Sequence, residues 1–407
     1  MAGQSSSRQE CAAICTPGLE AVCEAELKAL GVRARTVSAG VVEFKATTRQ
    51  LYAATLWLRT ASRVLVRIAK FRATDFNYLE TRCRELDWHR WLPAGHLPDF
   101  RVTSRRSRLF HTDAVAERMA KVALGGLDRE DFRADAPHQS FVVRVDHDLF
   151  VVSVDAAGVP LNQRGWRTEL GVAPLRTTMA AGLLLASGWD GTTPLVDPFC
   201  GSGTIAIEAA LLGRGLPPGG DRDFAFAHWA DFEPGTWASV MGEVGARMRP
   251  SLDVTIEAAD RDEAAVAITR ANAERAGVVG DLDLAVRVVS HLPGRDDLGL
   301  VATNPPYGKR VGDGDLTALY RRFGAVLRER RPGWELSMVA ADQKLAREVD
   351  GRLKPLGGYG HGGIRVQMYH RSASATADGE LSPPTSASPM PLDLELPGSG
   401  PEPESKS

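Results

Sequence analysis

Asn304-Pro305-Pro306-Tyr307 follows directly on the apolar run from Leu298 to Thr303. Two prolines remove backbone donors and hold the residue before each of them extended, so a run that reads as a strand must stop here in a stiff turn. Such a pair can be plain punctuation. It can also be a site, because a rigid turn at the carboxyl end of a parallel strand lies where open α/β sheets bind ligands.

A second stretch, LVDPFCGSGTIAIEAA, sets Gly201 and Gly203 between a strand ending at Asp197 and a helix beginning near Thr204. Glycines there let the backbone approach a ligand, and the helix amino end offers unpaired N–H groups at the positive end of its dipole. The third glycine of a dinucleotide fingerprint is missing and no Gly-Lys-Ser/Thr follows, so neither an NAD site nor a P-loop fits well. Cys200 reads as a small packing residue of this turn and not as a nucleophile. The next strand ends at Asp260, where a carboxylate is placed to accept hydrogen bonds from a ribose diol, while Asp262 is the better helix N-cap. A nucleoside cofactor without a pyrophosphate, such as S-adenosyl-L-methionine, asks for little beyond this turn and this acid.

These residues need strands and helices to carry them. From Val254 onward short β-branched runs alternate with amphipathic stretches, the pattern of a parallel sheet covered on both faces. The expected fold class is therefore α/β, with a doubly wound domain over residues 159–371. The first 158 residues carry shorter elements and read as an α+β region of two small units, 11–70 and 71–158, with a boundary near Phe71. In this reading residues 1–10 are a flexible amino terminus. Residues 372–407, rich in proline and serine, are a disordered tail, because such a segment cannot bury enough apolar surface to offset its ordering entropy.

Composition narrows the classes. A chain of 407 residues suggests two or three domains. The formal charge of −2 points neither toward nor away from a polyanion; the acidic tail accounts for more than all of it, leaving a slightly basic body. The five cysteines form no CxxC pair and sit near no histidine at zinc-finger spacing, so neither a metal site nor a disulfide framework is expected. No run approaches the roughly 18 apolar residues of a membrane span. The expectation is a soluble, cytoplasmic protein.

A glycine turn after the first strand, an acid after the second and NPPY after the fourth resemble the layout of class I methyltransferases that act on exocyclic amines. Four stretches sharpen the resemblance: CTPGLEAVCEAELKALG with LWLRTASRVLVRIAKF, FRVTSRRSRLFHTDAVAERMAKVAL, LNQRGWRTELGVAPLRTTMAAGLLLASGW, and the two motifs above with LYRRFGAVLRERRPGW. With them the chain is similar to the THUMP-containing RNA methyltransferases, above all to the large-subunit rRNA guanine-N2 enzymes. The resemblance implies a ferredoxin-like unit and an RNA-binding THUMP domain ahead of a Rossmann-like domain that binds S-adenosyl-L-methionine. It implies Asn304, Pro305, Pro306 and Tyr307 as catalytic residues: the Asn304 side-chain oxygen and the Pro305 carbonyl would accept the two hydrogens of an exocyclic amine, and Tyr307 would stack on the target base. Asp197, Cys200, Gly201, Gly203, Thr204, Asp260, Thr177 and Ser290 would border the cofactor. Ser290 stands, with His291, where many such enzymes carry an acid for the adenine amine; a backbone group or Asp296 are the other candidates for that role.

For RNA, Arg101, Arg105, Arg106 and Arg108, beside Phe100, Phe110 and His111, could contact phosphates and stack bases. Arg164, Arg167 and Arg176 could serve either RNA or the cofactor carboxylate, with Arg167 counted among the RNA contacts. Competing readings are a tRNA guanine-N2 enzyme, an adenine-N6 nucleic-acid methyltransferase, a protein glutamine methyltransferase and a non-catalytic RNA-binding protein. The insert from Gly215 to Val240 and the oligomeric state stay open.

Overall fold

The computed structural model describes residues 8–127, 131–169, 175–220, 222–307, 316–361 and 364–373. Residues 1–7 of the expected flexible amino terminus and 374–407 of the expected disordered tail lie outside the described residues, as do Gly308, Lys309 and Arg310 behind the NPPY turn; Gln9 and Glu10, expected in the flexible terminus, lie in the first strand.

The amino-terminal half begins β1 (Gln9–Cys15), α1 (Glu20–Ala29), β2 (Ala34–Ser38), β3 (Val41–Ala46), α2 (Thr48–Trp57) and β4 (Ala61–Arg72). These pair in the order β2-β3-β1-β4, a split βαβ arrangement with both helices on one face. The chain continues through α3 (Phe76–Arg84), α4 (Trp88–Trp91), β5 (Leu97–Arg105), α5 (Thr112–Ala123), β6 (His138–Asp146) and β7 (Leu149–Asp155). β7 pairs with β4, so a single seven-stranded sheet, β2-β3-β1-β4-β7-β6-β5, runs through Phe71 without a break. Helix α2 opens on a capping box between Thr47 and Gln50. It stops at Trp57. The physical reason is tertiary: the Glu26 carboxylate of α1 accepts the backbone N–H groups of Arg59 and Thr60 at 2.7 and 3.1 Å, which pulls the chain out of the helix and into β4.

The second half contains α6 (Thr177–Ala186), β8 (Leu195–Asp197), α7 (Thr204–Gly213), α8 (Pro234–Arg247), β9 (Ile256–Asp260), α9 (Glu263–Arg275), β10 (Leu282–Val286), β11 (Leu300–Thr303), α10 (Leu316–Arg330), β12 (Glu335–Ala340), α11 (Gln343–Val349), β13 (Lys354–His361) and β14 (Ile364–Arg371). Its sheet runs β10-β9-β8-β11-β12-β14-β13. The first five strands are parallel, as the alternating pattern predicts; β13 and β14 form a hairpin, and β14 returns antiparallel to β12. Strand order reverses between β8 and β11. In open α/β sheets the ligand crevice lies outside the carboxyl ends of the strands at such a reversal.

The insert is the mortar between the halves. Phe226 stacks on Tyr52 of α2 at 4.3 Å, Trp229 meets Trp91 of α4 edge-on at 4.9 Å, and the Trp229 indole donates to Gln139 of β6 at 3.0 Å. Trp237 of α8 adds edge contacts to Tyr52 and Phe226. Aromatic pairs of this kind contribute about 0.5–1.5 kcal/mol each beyond their buried area. Arg164, a candidate for RNA or cofactor, belongs here instead. It is buried, and its guanidinium donates to Glu208 of α7 at 3.0 Å and to the Arg59 carbonyl at 2.6 Å. The helix that follows the glycine turn is thereby tied to the first half.

Candidate active site at the carboxyl ends of three strands

Asp260, Asp197 and Thr303 end the neighbouring strands β9, β8 and β11. The glycine turn leaves β8 and is pinned from the β9 side. The Asp260 carboxylate accepts the Gly201 N–H and the Asp262 N–H, each at 3.1 Å, and the Thr269 hydroxyl of α9 donates to the Gly201 carbonyl at 2.8 Å. Asn272 of α9 donates to the carbonyls of Ser202 and Glu169, both at 3.1 Å, and Arg275 reaches the Trp166 carbonyl at 3.0 Å, which fastens residues 166–169 beside the turn.

Both glycines are left-handed, and they differ in surroundings. At Gly203 (φ +80°) a Cβ would sit 2.6 Å from Thr269 Cγ2, so the close approach of α9 forbids a side chain. At Gly201 (φ +54°) a Cβ would meet nothing within 4 Å: the turn keeps a cradle open there. Helix α7 begins at Thr204 with no side-chain cap, leaving its first N–H groups for a ligand. An open cradle, an uncapped helix start and a carboxylate at the next strand tip fit S-adenosyl-L-methionine.

The remaining cofactor candidates are distributed unevenly. Cys200 is buried with its Sγ 3.7 Å from the Thr269 hydroxyl, and burial pushes its thiol far above the usual range, which makes it a packing residue. Thr177 is fully buried and spends its hydroxyl on the Asn162 carbonyl at 2.8 Å. Ser290 lies half-buried in the single turn Val289–His291 past β10. Asp197 is buried beneath the turn. Its Oδ1 accepts the Thr303 hydroxyl at 2.6 Å and the Phe199 N–H at 3.2 Å. Burial pushes its pKa up to about 7, against the lowering effect of those two hydrogen bonds and with a further push from Asp260.

The NPPY turn leaves β11 on the other side of the reversal. The Tyr320 hydroxyl of α10, a fully buried residue, donates to the Pro306 carbonyl at 3.3 Å. Asn304 Oδ1 and the Tyr307 hydroxyl are both buried, and neither has a hydrogen-bond partner among the described residues. Burial raises the Tyr307 pKa; the Asn304 amide is near enough to pull it down, although the two form no hydrogen bond of acceptable geometry. Buried polar atoms are nearly always paired, so an orphaned amide oxygen beside an orphaned phenol marks a place where donors from elsewhere are expected. Thr303, Tyr320, Thr269 and Asn272 carry no signal in sequence, where they read as ordinary strand and helix residues.

The RNA candidates sit on the first sheet. Arg101 and Arg105 project from the exposed face of its edge strand β5, Arg101 paired to Asp99 at 3.1 Å, and the sheet register brings Arg144 of β6 opposite Thr103, between them. Arg106 and Arg108 are exposed in the turn toward α5, where Phe110 is 64% exposed with its ring 4.1 Å from His111. Phe100 is not available for stacking on a base: strand alternation turns it inward, against Phe141 at 4.9 Å. Arg167 is half-buried and donates to the Leu175 carbonyl at 2.8 Å.

Comparison with known proteins bears on both halves. Residues 164–354 match the family described as RMKL-like, methyltransferase domain, and residues 10–65 match the RlmL ferredoxin-like domain. A curated relative from Vibrio parahaemolyticus, ribosomal RNA large subunit methyltransferase K/L, is 35% identical over 347 residues, which cover 82% of this chain and 49% of the relative. The chain thus spans about half the length of the curated relatives it matches. Among solved structures, SMU.472 complexed with SAH is 29% identical with a TM-score of 0.81, covering 91% of this chain and 99% of that one. A predicted N6-adenine-specific DNA methylase from Listeria monocytogenes is 27% identical with a TM-score of 0.79, covering 90% and 97%.

Proposed function

We propose, from the premise that residues 164–354 belong to the RMKL-like methyltransferase family and residues 10–65 to the RlmL ferredoxin-like domain family, that this protein methylates the exocyclic N2 amine of a guanine in large-subunit ribosomal RNA. S-adenosyl-L-methionine supplies a methyl group on a sulfonium, an electrophile that needs no further activation. Gly201, the start of α7 and Asp260 would hold it, Asp260 through the ribose.

The observation that carries the proposal is the orphaned Asn304 oxygen on a turn stiffened by two prolines. An exocyclic guanine amine is a weak nucleophile because its lone pair is delocalised into the ring. Asn304 Oδ1 and the Pro305 carbonyl, accepting its two hydrogens, favour a pyramidal nitrogen and direct the lone pair toward the methyl group. Tyr307 stacks on the base and sets its plane. No strong general base is needed, since the methylated nitrogen readily loses its extra proton, and positioning contributes most of the rate. Extruding the target nucleotide from a helix costs a few kcal/mol, which the stacking contact partly offsets.

Arg101, Arg105, Arg106 and Arg108 would contact RNA phosphates as part of a THUMP-type unit built by residues 71–158, with Phe110 as a stacking surface. A cytoplasmic location would suit ribosomal RNA as the substrate. Adenine N6 is the second reading, because the same two acceptors fit an adenine amine and a structural neighbour bears that description. The deciding experiment incubates the purified chain with labelled S-adenosyl-L-methionine and, separately, unmodified rRNA, tRNA and duplex DNA, then identifies the labelled nucleoside. Label in N2-methylguanosine from rRNA is the expected result. The same nucleoside from tRNA alone changes the substrate, N6-methyladenine overturns the base, and no label from any nucleic acid overturns the proposal.

A further inference from the structure

The ladder between β8 and β11 consists of two pairs, Leu300 with Leu195 and Val301 with Val196. Past Val196 the backbones part to open the crevice, and one chain leads into the glycine turn while the other leads into NPPY. At that level a side-chain contact takes over. Thr303 is fully buried and donates its hydroxyl to Asp197 Oδ1 at 2.6 Å, and the same oxygen receives the Phe199 N–H at 3.2 Å. Phe199 leads straight into the glycine turn and rests edge-on against Phe323 of α10 at 5.2 Å. Thr303 is the residue before Asn304. A single carboxylate oxygen therefore touches both turns, one residue short of the amine acceptor and two residues short of the open glycine.

We propose that Asp197 and Thr303 are a positioning pair that sets the spacing between the cofactor turn and the amine-gripping turn; the inference rests on the reading of Asn304 given above. No cation pairs with Asp197 among the described residues. A buried carboxylate without a counter-charge is unfavourable, and an apolar pair at 197 and 303 would fill the same space without that cost. What the hydroxyl-to-carboxylate bond adds over an apolar contact is direction and a fixed distance, since charge-assisted hydrogen bonds are short and angle-dependent. The reaction depends on that distance: roughly an ångström of misplacement costs on the order of a hundredfold in rate.

The test uses Thr303→Val, Thr303→Ser, Asn304→Ala and the double variant Thr303→Val/Asn304→Ala in the full chain. It reads the single-turnover methyl-transfer rate, S-adenosyl-L-methionine affinity by calorimetry, and the melting temperature. Expected is a loss of roughly ten- to a hundredfold in rate for Thr303→Val with cofactor affinity nearly unchanged, recovery in Thr303→Ser, and a double variant no slower than Asn304→Ala alone. A Thr303→Val protein that melts earlier yet turns over at the wild-type rate would show that the pair serves only the core. Multiplied losses in the double variant would show that Thr303 does not act through Asn304. Should Thr303→Val fail to fold, Asp197→Asn keeps an acceptor of the same shape without the charge: a smaller rate loss that vanishes in the Asn304→Ala background supports the pair, and no loss overturns it. A wild-type rate in Asn304→Ala itself would overturn the amine-gripping reading and the pair together, whereas that variant failing while Thr303→Val stays fast would overturn the pair alone.

Discussion

The two turns that flank the strand reversal share a platform and differ in how their polar atoms are used. Around Gly201 to Gly203 the backbone is held by side chains of β9 and α9: Asp260, Thr269 and Asn272 each take a group of the turn, and Gly203 touches Thr269. Around Asn304 to Tyr307 the bracing comes from prolines and from Tyr320, and the two candidate side chains are left unpaired among the described residues. A turn whose own groups are largely satisfied offers a shape, an open cradle with the uncapped N–H groups of the α7 start behind it. A turn with orphaned acceptors offers a chemical demand. The difference suits one ligand that must be held and another that must be activated.

The comparison breaks most sharply at Asn304. Asn304→Ala should lower the single-turnover rate by about 10²–10³, the range seen when one preorganised partner of a transition state is removed, while calorimetry finds cofactor affinity within a few-fold of wild type. A large loss of cofactor affinity would mean that the two turns are not separate in function. The reciprocal variant, Gly203→Ala, should reverse the pattern. A Cβ there meets Thr269 at 2.6 Å in a left-handed conformation, so a destabilisation of about 1–3 kcal/mol and weakened cofactor binding are expected, read by thermal melting and calorimetry. The smallest effect separates ring from hydroxyl at Tyr307. Tyr307→Ala should cost about 1–3 kcal/mol of base stacking, whereas Tyr307→Phe keeps the ring and should lose less in kcat/KM, only what a substrate group contributes at a hydroxyl that has no partner among the described residues.

The N-terminal half teaches a related lesson about legibility. The exposed arginines of β5 were visible as a charge run, yet the strand alternation that exposes Arg101 and Arg105 also hides Phe100. Arg164 looked equally available and is instead locked against Glu208 on α7. In the insert from Gly215 to Val240 the aromatic residues were plain to see, but nothing local could say that they would pack on Tyr52 and Trp91.

The chain's own order of residues determined the strand, glycine turn and helix around Gly201, the strand tip at Asp260 and the stiff turn at Asn304, because glycine, proline and hydrophobic periodicity act over a few bonds. Through its resemblance to a known family it also carried the proposed chemistry of the amine grip, which depends on residue type. The tertiary structure alone decided that Thr303 would clasp Asp197, that Tyr320 would hold Pro306, that α2 would end at Trp57 and that two halves would become one body. Each of those depends on groups far apart in the chain being driven together by burial, where an unpaired polar atom is costly and the partner is whichever group the packing brings within reach.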